Sequence, residues 1–161
     1  MVERAGKLLA YTDRCHGVQE GLALGQGVVG EPAGLENLLA RQQCHGSVLK
    51  LAEQNDFIAG LVGWVDLASE KCEEQLSEFV KHPKFVGVRP MIQDIADPEW
   101  MLRDELAPVF HALVARGLRF DALVKPPHLD ALLTLLQRYP ELPVVIDHGG
   151  KPDIAGSAFA P

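Results

Sequence analysis

Long apolar runs are missing from this 161-residue sequence. None approaches the ~18 residues that a membrane-spanning helix requires. Basic runs are missing too, and the net charge is −7. Nucleic acid and anionic membrane are therefore excluded as expected partners, since both are held by clustered Lys and Arg. There are three cysteines, Cys15, Cys44 and Cys72, with no Cys-x-x-Cys pair among them. That scarcity argues against a disulfide framework or a zinc knuckle and suits reduced thiols in a cytoplasmic protein. Leu8-Leu9-Ala10 is too short for a signal-peptide core, and Asp13 and Glu20 break the acid-poor pattern of a mitochondrial presequence. No Gly-x-Ser-x-Gly occurs, so a serine nucleophile has no support. Gly25-Gln26-Gly27 follows no strand and precedes no Gly-Lys-Ser/Thr, which removes it as a phosphate loop.

What is present is a hydrophobic fraction of 47%, enough for a core at a length of about one domain. Residues 1–33 carry Gly17, Gly21, Gly25, Gly27, Gly30 and Pro32 with little apolar periodicity, and read as a flexible leader. Residues 34–161 carry the folded part. Leu35, Leu38 and Leu39, then Val48, Leu49, Leu51 and Ala52, suggest helix on either side of a break at Gly46.

From Phe57 a unit repeats. The run Phe57–Leu67 reads as a strand, followed by a helix with Ser69 as cap and Cys72, Leu76, Phe79 and Val80 inside. Phe85–Val88 is the next strand. Asp97-Pro98 starts a short turn near Glu99–Leu102, because Pro108 lies too far in for one helix. The main helix then carries Val109, Phe110, Leu113 and Val114 to Gly117. Phe120–Val124 and an amphipathic helix with Leu129, Leu132, Leu133 and Leu136 follow. Val144-Val145-Ile146, β-branched throughout between Pro143 and a polar tip, reads as a strand buried on both faces. Apolar strands alternating with helices mean an α/β fold of parallel βα units joined by right-handed crossovers.

In such folds ligands gather at the carboxyl ends of the strands. Asp66, Arg89, Lys125 and His148 all leave those ends and are expected to line one rim. His148 is the candidate catalytic group, since an imidazole binds metal or polarises a carbonyl. Arg89 offers a planar fork either to substrate oxygens or to a nearby acid such as Asp66 or Asp147. Lys151 is a loop lysine with a candidate substrate-binding role. Asp147 is expected to make structural hydrogen bonds at its strand end. His82, His111 and His128 read as surface or capping residues, and Cys72 as core.

These stretches resemble the amidohydrolase-related proteins of the L-fucono-/L-rhamnonolactonase and 2-pyrone-4,6-dicarboxylate lactonase type. The resemblance is carried by FIAGLVGWVDL, HPKFVGVRPMIQD, ADPEWMLRDEL, GLRFDALV with PPHLDAL, and YPELPVVIDHGGKP, in register from about Asn55 to Pro152. It implies a TIM-barrel hydrolase opening a lactone ring. It also implies His148 as an active-site group, Arg89 as a contact for substrate oxygens and Lys151 as a further contact. The small-molecule partner it implies is a lactone, and the complete fold of the family implies a divalent metal such as zinc.

The departures shape the expectation. Residues 1–45 show no resemblance, there is no His-x-His, and no late Gly-Ser-Asp stretch occurs. A (β/α)₈ barrel takes about 250 residues. The expectation is therefore roughly half of a TIM (β/α)₈ barrel, truncated at both ends. It binds zinc only weakly through His148 and is inactive as a lactonase by itself. The competing readings are a non-catalytic module associating through exposed sheet edges, and a small domain whose Gly149-Gly150 loop holds an anion.

Overall fold

The computed structural model describes residues 8–11 and 48–156, with side chains from residue 48 onward. Five strands form one sheet in chain order: β1 (Leu8–Tyr11), β2 (Ile58–Gly63), β3 (Phe85–Val88), β4 (Arg119–Ala122) and β5 (Val144–Ile146). Each runs parallel to its neighbour. Between them lie α1 (48–53), α2 (Cys72–Phe79), α3 (Ala107–Ala115) and α4 (Leu129–Arg138). Strands that neighbour in chain order, joined by right-handed crossovers, place their helices on one side. α2 packs beside α3 accordingly.

Four of the strands fall where the apolar runs predict them. The fifth, β1, lies inside the stretch read as a flexible leader, and that reading is corrected at Leu8–Tyr11. Four residues are too few to show a period, so this strand is defined by its partner. Leu8 sits opposite Ile58 and Tyr11 opposite Val62. The other leader residues, and Leu35, Leu38, Leu39 and Gly46, lie outside the described residues.

Local chemistry accounts for most element ends. Lys84 donates to the carbonyls of Ala52 and Asn55, the latter at 2.9 Å, and so closes the carboxyl end of α1. Ser69 does not cap α2 as expected. Its hydroxyl accepts the Lys71 N–H at 3.2 Å within the preceding turn, and α2 begins only at Cys72. Asp97 accepts the Glu99 N–H at 3.0 Å and opens the 3₁₀ turn Trp100–Leu102, as the Asp-Pro signal predicts. Pro108 stands in the first turn of α3, where its missing N–H does no harm. Gly117, at φ +63, ends the α3 unit in the left-handed conformation.

The core lies between the helices and the middle of the sheet. Phe110 of α3 meets Phe120 of β4 edge to face with centroids 5.3 Å apart, among Leu61, Val88, Leu113, Leu132 and Leu135. Each such side chain contributes roughly 1.5–3 kcal/mol by leaving water. At Gly87 a Cβ would stand 2.6 Å from the Arg119 carbonyl oxygen, so β3 and β4 need glycine there.

The strand read as buried on both faces is not. β5 is one of the sheet's two outer strands among the described residues, and Val145 and Ile146 are 45% and 47% exposed. Its β-branched residues were read correctly as strand formers. Burial needs a neighbour on each side, and no described element covers the far edge.

Candidate functional site

All five strands point the same way, so the segments leaving β3, β4 and β5 emerge on one rim. Arg89 follows β3 directly, and its N–H donates to the Gly63 carbonyl at 2.8 Å, which holds it at the strand end. Its side chain is 7% exposed as a residue and runs beneath the loop that follows β5. One guanidinium nitrogen, Nη2, donates to Asp147 Oδ2. On its other flank Nε lies 3.5 Å from Asp121 Oδ2, in the interior of β4. Two carboxylates thus face one guanidinium in a nearly water-free setting, where such pairing is what makes buried charge tolerable.

Of the two roles open for Arg89, the ion pair is the arrangement observed, with Asp147 as one partner. Asp66 is engaged elsewhere: its Oδ1 accepts the Ala68 N–H at 3.2 Å and closes a turn of its own loop. Asp121 was not singled out from the sequence, although a signal was there. It is one carboxylate between the apolar Phe120 and Ala122, in a run that stays apolar through Leu123 and Val124, and a charge so placed requires a cation nearby.

His148 lies at the same end of the sheet as Arg89. Its Nε2 is 3.6 Å from Asp147 Oδ2, too long for a hydrogen bond but close enough for a charge to be felt. The imidazole is 61% exposed, against 14% for the Asp147 side chain. The site is thus a solvent-facing histidine set on a partly buried carboxylate, which is in turn held by arginine.

The backbone that presents His148 is unusual. His148, Gly149, Gly150 and Lys151 take φ values of +48, +60, +74 and +49 in succession. Such values suit glycine but are uncommon for histidine and lysine. The Lys151 N–H donates to the His148 carbonyl at 3.1 Å and closes the turn. Lys151 Nζ donates to Gln93 Oε1, so the lysine has a defined partner. Gln93 belongs to the 3₁₀ turn Ile92–Asp94, and its N–H donates to the Leu123 carbonyl at 2.9 Å beyond β4. No sequence signal marked Gln93, since a lone glutamine in a loop looks like any solvated residue.

The remaining candidates have other tasks. Lys125 is exposed, and its N–H donates to His128 Nδ1 at 3.1 Å. That makes His128 a buried cap rather than a surface one. His111 stacks edge to face on Tyr139 at 5.2 Å, and His82 Nδ1 lies 2.6 Å from Glu53 Oε1. Cys72 is buried, and desolvation, with Asp66 and Glu73 adding, pushes its thiol up to about 11.

A zinc site generally takes three protein ligands. Among the described residues no group of three or more His, Cys, Asp and Glu side chains gathers to hold a metal ion. His148 has one acid beside it, and that acid is already spoken for by Arg89. The described residues therefore do not fit a resident zinc.

Comparison with known proteins gives this rim a context. A sequence model of the amidohydrolase family matches residues 3–161, so the family pattern extends into the stretch read as unmatched. An L-fucono-1,5-lactonase of Burkholderia ambifaria is 43% identical over 138 residues, covering 77% of this chain and 48% of that protein. A second L-fucono-1,5-lactonase, of Burkholderia multivorans, is 32% identical, covering 67% of this chain and 36% of its own length. An amidohydrolase of Burkholderia multivorans, solved with bound HEPES and again with bound zinc, superposes with a TM-score of 0.63 at 29% identity. The likeness covers 76% of this chain and 40% of the HEPES-bound one. The chain thus spans about half, or less, of the relatives it matches.

Proposed function

The chain belongs to the amidohydrolase family, and from that premise we propose that its rim is the substrate-holding side of a sugar-lactonase site. The observation that carries the reading is His148, solvent-facing and backed by the partly buried Asp147, which is held by the buried Arg89–Asp121 pair. The identity to L-fucono-1,5-lactonase supports a sugar 1,5-lactone as the substrate class.

In lactone hydrolysis water adds to the ring carbonyl carbon and its electron pair moves onto oxygen. Collapse breaks the ring carbon–oxygen bond, the departing alkoxide takes a proton, and a hydroxy acid results. Groups that meet the developing oxyanion lower the barrier most. In this reading His148 polarises the carbonyl, and Lys151 supplies a positive charge at the same loop for the product carboxylate. Arg89, with its fork committed to two acids, orients Asp147 rather than touching the lactone. The described residues supply no group placed to activate the water. By this reading the chain alone binds but does not turn over, because removing members of a catalytic unit removes nearly all of its rate.

The test follows hydrolysis of L-fucono-1,5-lactone with a pH indicator, with and without zinc, beside NMR of the His148 imidazole during titration with L-fuconate. No turnover is expected, together with a fuconate-dependent shift that His148→Ala removes. Turnover abolished by His148→Ala would overturn the inactivity. A His148 signal indifferent to fuconate would overturn the lactone site.

A second reading, a non-catalytic module that self-associates, rests on the exposed margin. Val145, Ile146, Leu129 and Leu133 all face solvent, with Leu133 57% exposed. An open strand edge flanked by apolar side chains invites pairing with another copy. Sedimentation over a concentration series tests it: association that Ile146→Lys abolishes supports this reading, and a monomer at every concentration ends it.

A further inference from the structure

The loop that carries His148 is held at two points by one short segment, and this geometry goes beyond the lactone reading on which it rests. The segment is 89–93, leaving β3. At one end Arg89 takes Asp147, the residue before His148. At the other Gln93 takes Lys151, the residue that closes the turn. Four successive residues with positive φ, His148 to Lys151, start just after the first anchored residue and end on the second. We propose that Gln93 and Asp121 are positioning residues for His148: Gln93 acting through Lys151, and Asp121 acting through Arg89 and Asp147.

The physical need for such a clamp is plain. A left-handed conformation disfavours any residue with a Cβ, and two of the four residues here, His148 and Lys151, carry one. The turn's own closure is one backbone hydrogen bond, Lys151 N–H to the His148 carbonyl. A single backbone hydrogen bond replaces one made to water and is too weak to offset two strained residues. Gly150 is buried beside Leu129, whose Cδ2 would stand 3.4 Å from a Cβ added there, so the turn leaves little room at that residue. The two side-chain anchors supply the rest.

Each anchor is itself fastened to the sheet. Arg89 is flanked by Asp121, so the guanidinium is held from both sides along the line toward Asp147. Gln93 is fixed through its own N–H to the Leu123 carbonyl at 2.9 Å. The clamp therefore refers the exposed imidazole back to β3 and β4, whose inner side chains are buried. Strain held by such over-determination is a mark of sites whose geometry matters.

The experiment uses the full chain without lactone, so that its outcome is separate from that of the fuconate titration. Amide hydrogen exchange is measured for Lys151 and, as reference, for the interior of α3, in wild type, Gln93→Ala, Gln93→Glu and Asp121→Asn. Gln93→Ala is expected to speed exchange at Lys151 by about tenfold or more while leaving α3 within about twofold. Gln93→Glu keeps an acceptor for the lysine and is expected to restore protection. Asp121→Asn is expected to loosen the turn and broaden the His148 imidazole signal. Unchanged Lys151 exchange in Gln93→Ala would overturn the clamp, as would equal acceleration in α3, which marks a general loss of stability. Failure of Gln93→Glu to restore protection would overturn the role of the Gln93 oxygen. If Asp121→Asn leaves the His148 signal unchanged, the Asp121 arm falls.

Discussion

β3 and β5 are both short, apolar and β-branched in part, and both release polar residues at their carboxyl ends. Yet Phe85 and Val88 of β3 are 5% and 0% exposed, while Val145 and Ile146 of β5 are nearly half exposed. The difference is not in the strands but in what lies beside them. β3 is hydrogen-bonded to β2 and β4, whereas β5 has a described partner only in β4. The interior strand can therefore bury a charge cluster at its tip, with Arg89 sealed against Asp121. The marginal strand presents its histidine to water. Rigid support and open access, which a binding rim needs together, are divided between adjacent parts of one sheet.

The largest effects are expected in the interior. Phe120→Ala removes a ring that is 0% exposed and packed on Phe110, and is expected to cost about 3–5 kcal/mol. Val145→Ala at the margin is expected to cost less than about 1 kcal/mol. Urea midpoints of the two variants check the contrast, and similar losses would break the distinction between interior and margin.

Arg89→Ala is expected to follow closely at about 3–5 kcal/mol, because it leaves Asp121 and Asp147 without their shared cation. Gly87→Ala comes next, at about 1–3 kcal/mol, since the new methyl would press on the Arg119 carbonyl across β3 and β4. Thermal unfolding measures both, and a neutral Gly87→Ala would show that these strands can move apart.

Titration sharpens the same contrast. The buried Cys72 thiol is pushed from 9.0 up to about 11, chiefly by loss of water around it. The folded state then holds the proton more tightly, so this contribution is complete below pH 9 and fades as pH rises toward 11. At pH 8 Cys72 is expected to resist alkylation until denaturant is added, as mass spectrometry of the peptide would show. On the surface the order is reversed. Hydrogen bonds from Arg103 hold the exposed Asp97 carboxyl below its ordinary 3.8. Its support is present above that value and disappears as pH falls through the depressed one. The smallest effect is expected here: Asp97→Asn lowers the midpoint slightly at pH 7 and matches wild type in acid.

Much of this was legible from residue order. The apolar runs gave four strands within a few residues, and Asp97-Pro98 with Pro108 gave the turn before α3. Placement of Arg89 and His148 at one end followed from parallel strands alone. β1 was not legible, because LLAY is too short to carry a period and is defined by its pairing with β2. Gln93 and Asp121 were not singled out either, for their partners lie 58 and 32 residues away in the chain.

The sequence by itself determined the alternation of strand and helix, the direction of the strands and the polar character of their tips. Those are local properties, set by side-chain shape and period within a few residues. Only the tertiary structure decided which apolar strand is buried and which is open, and that Arg89 faces two acids. It also decided that a strained turn holds His148 out to solvent. Burial and charge pairing depend on neighbours brought together from distant parts of the chain, and no local window contains them.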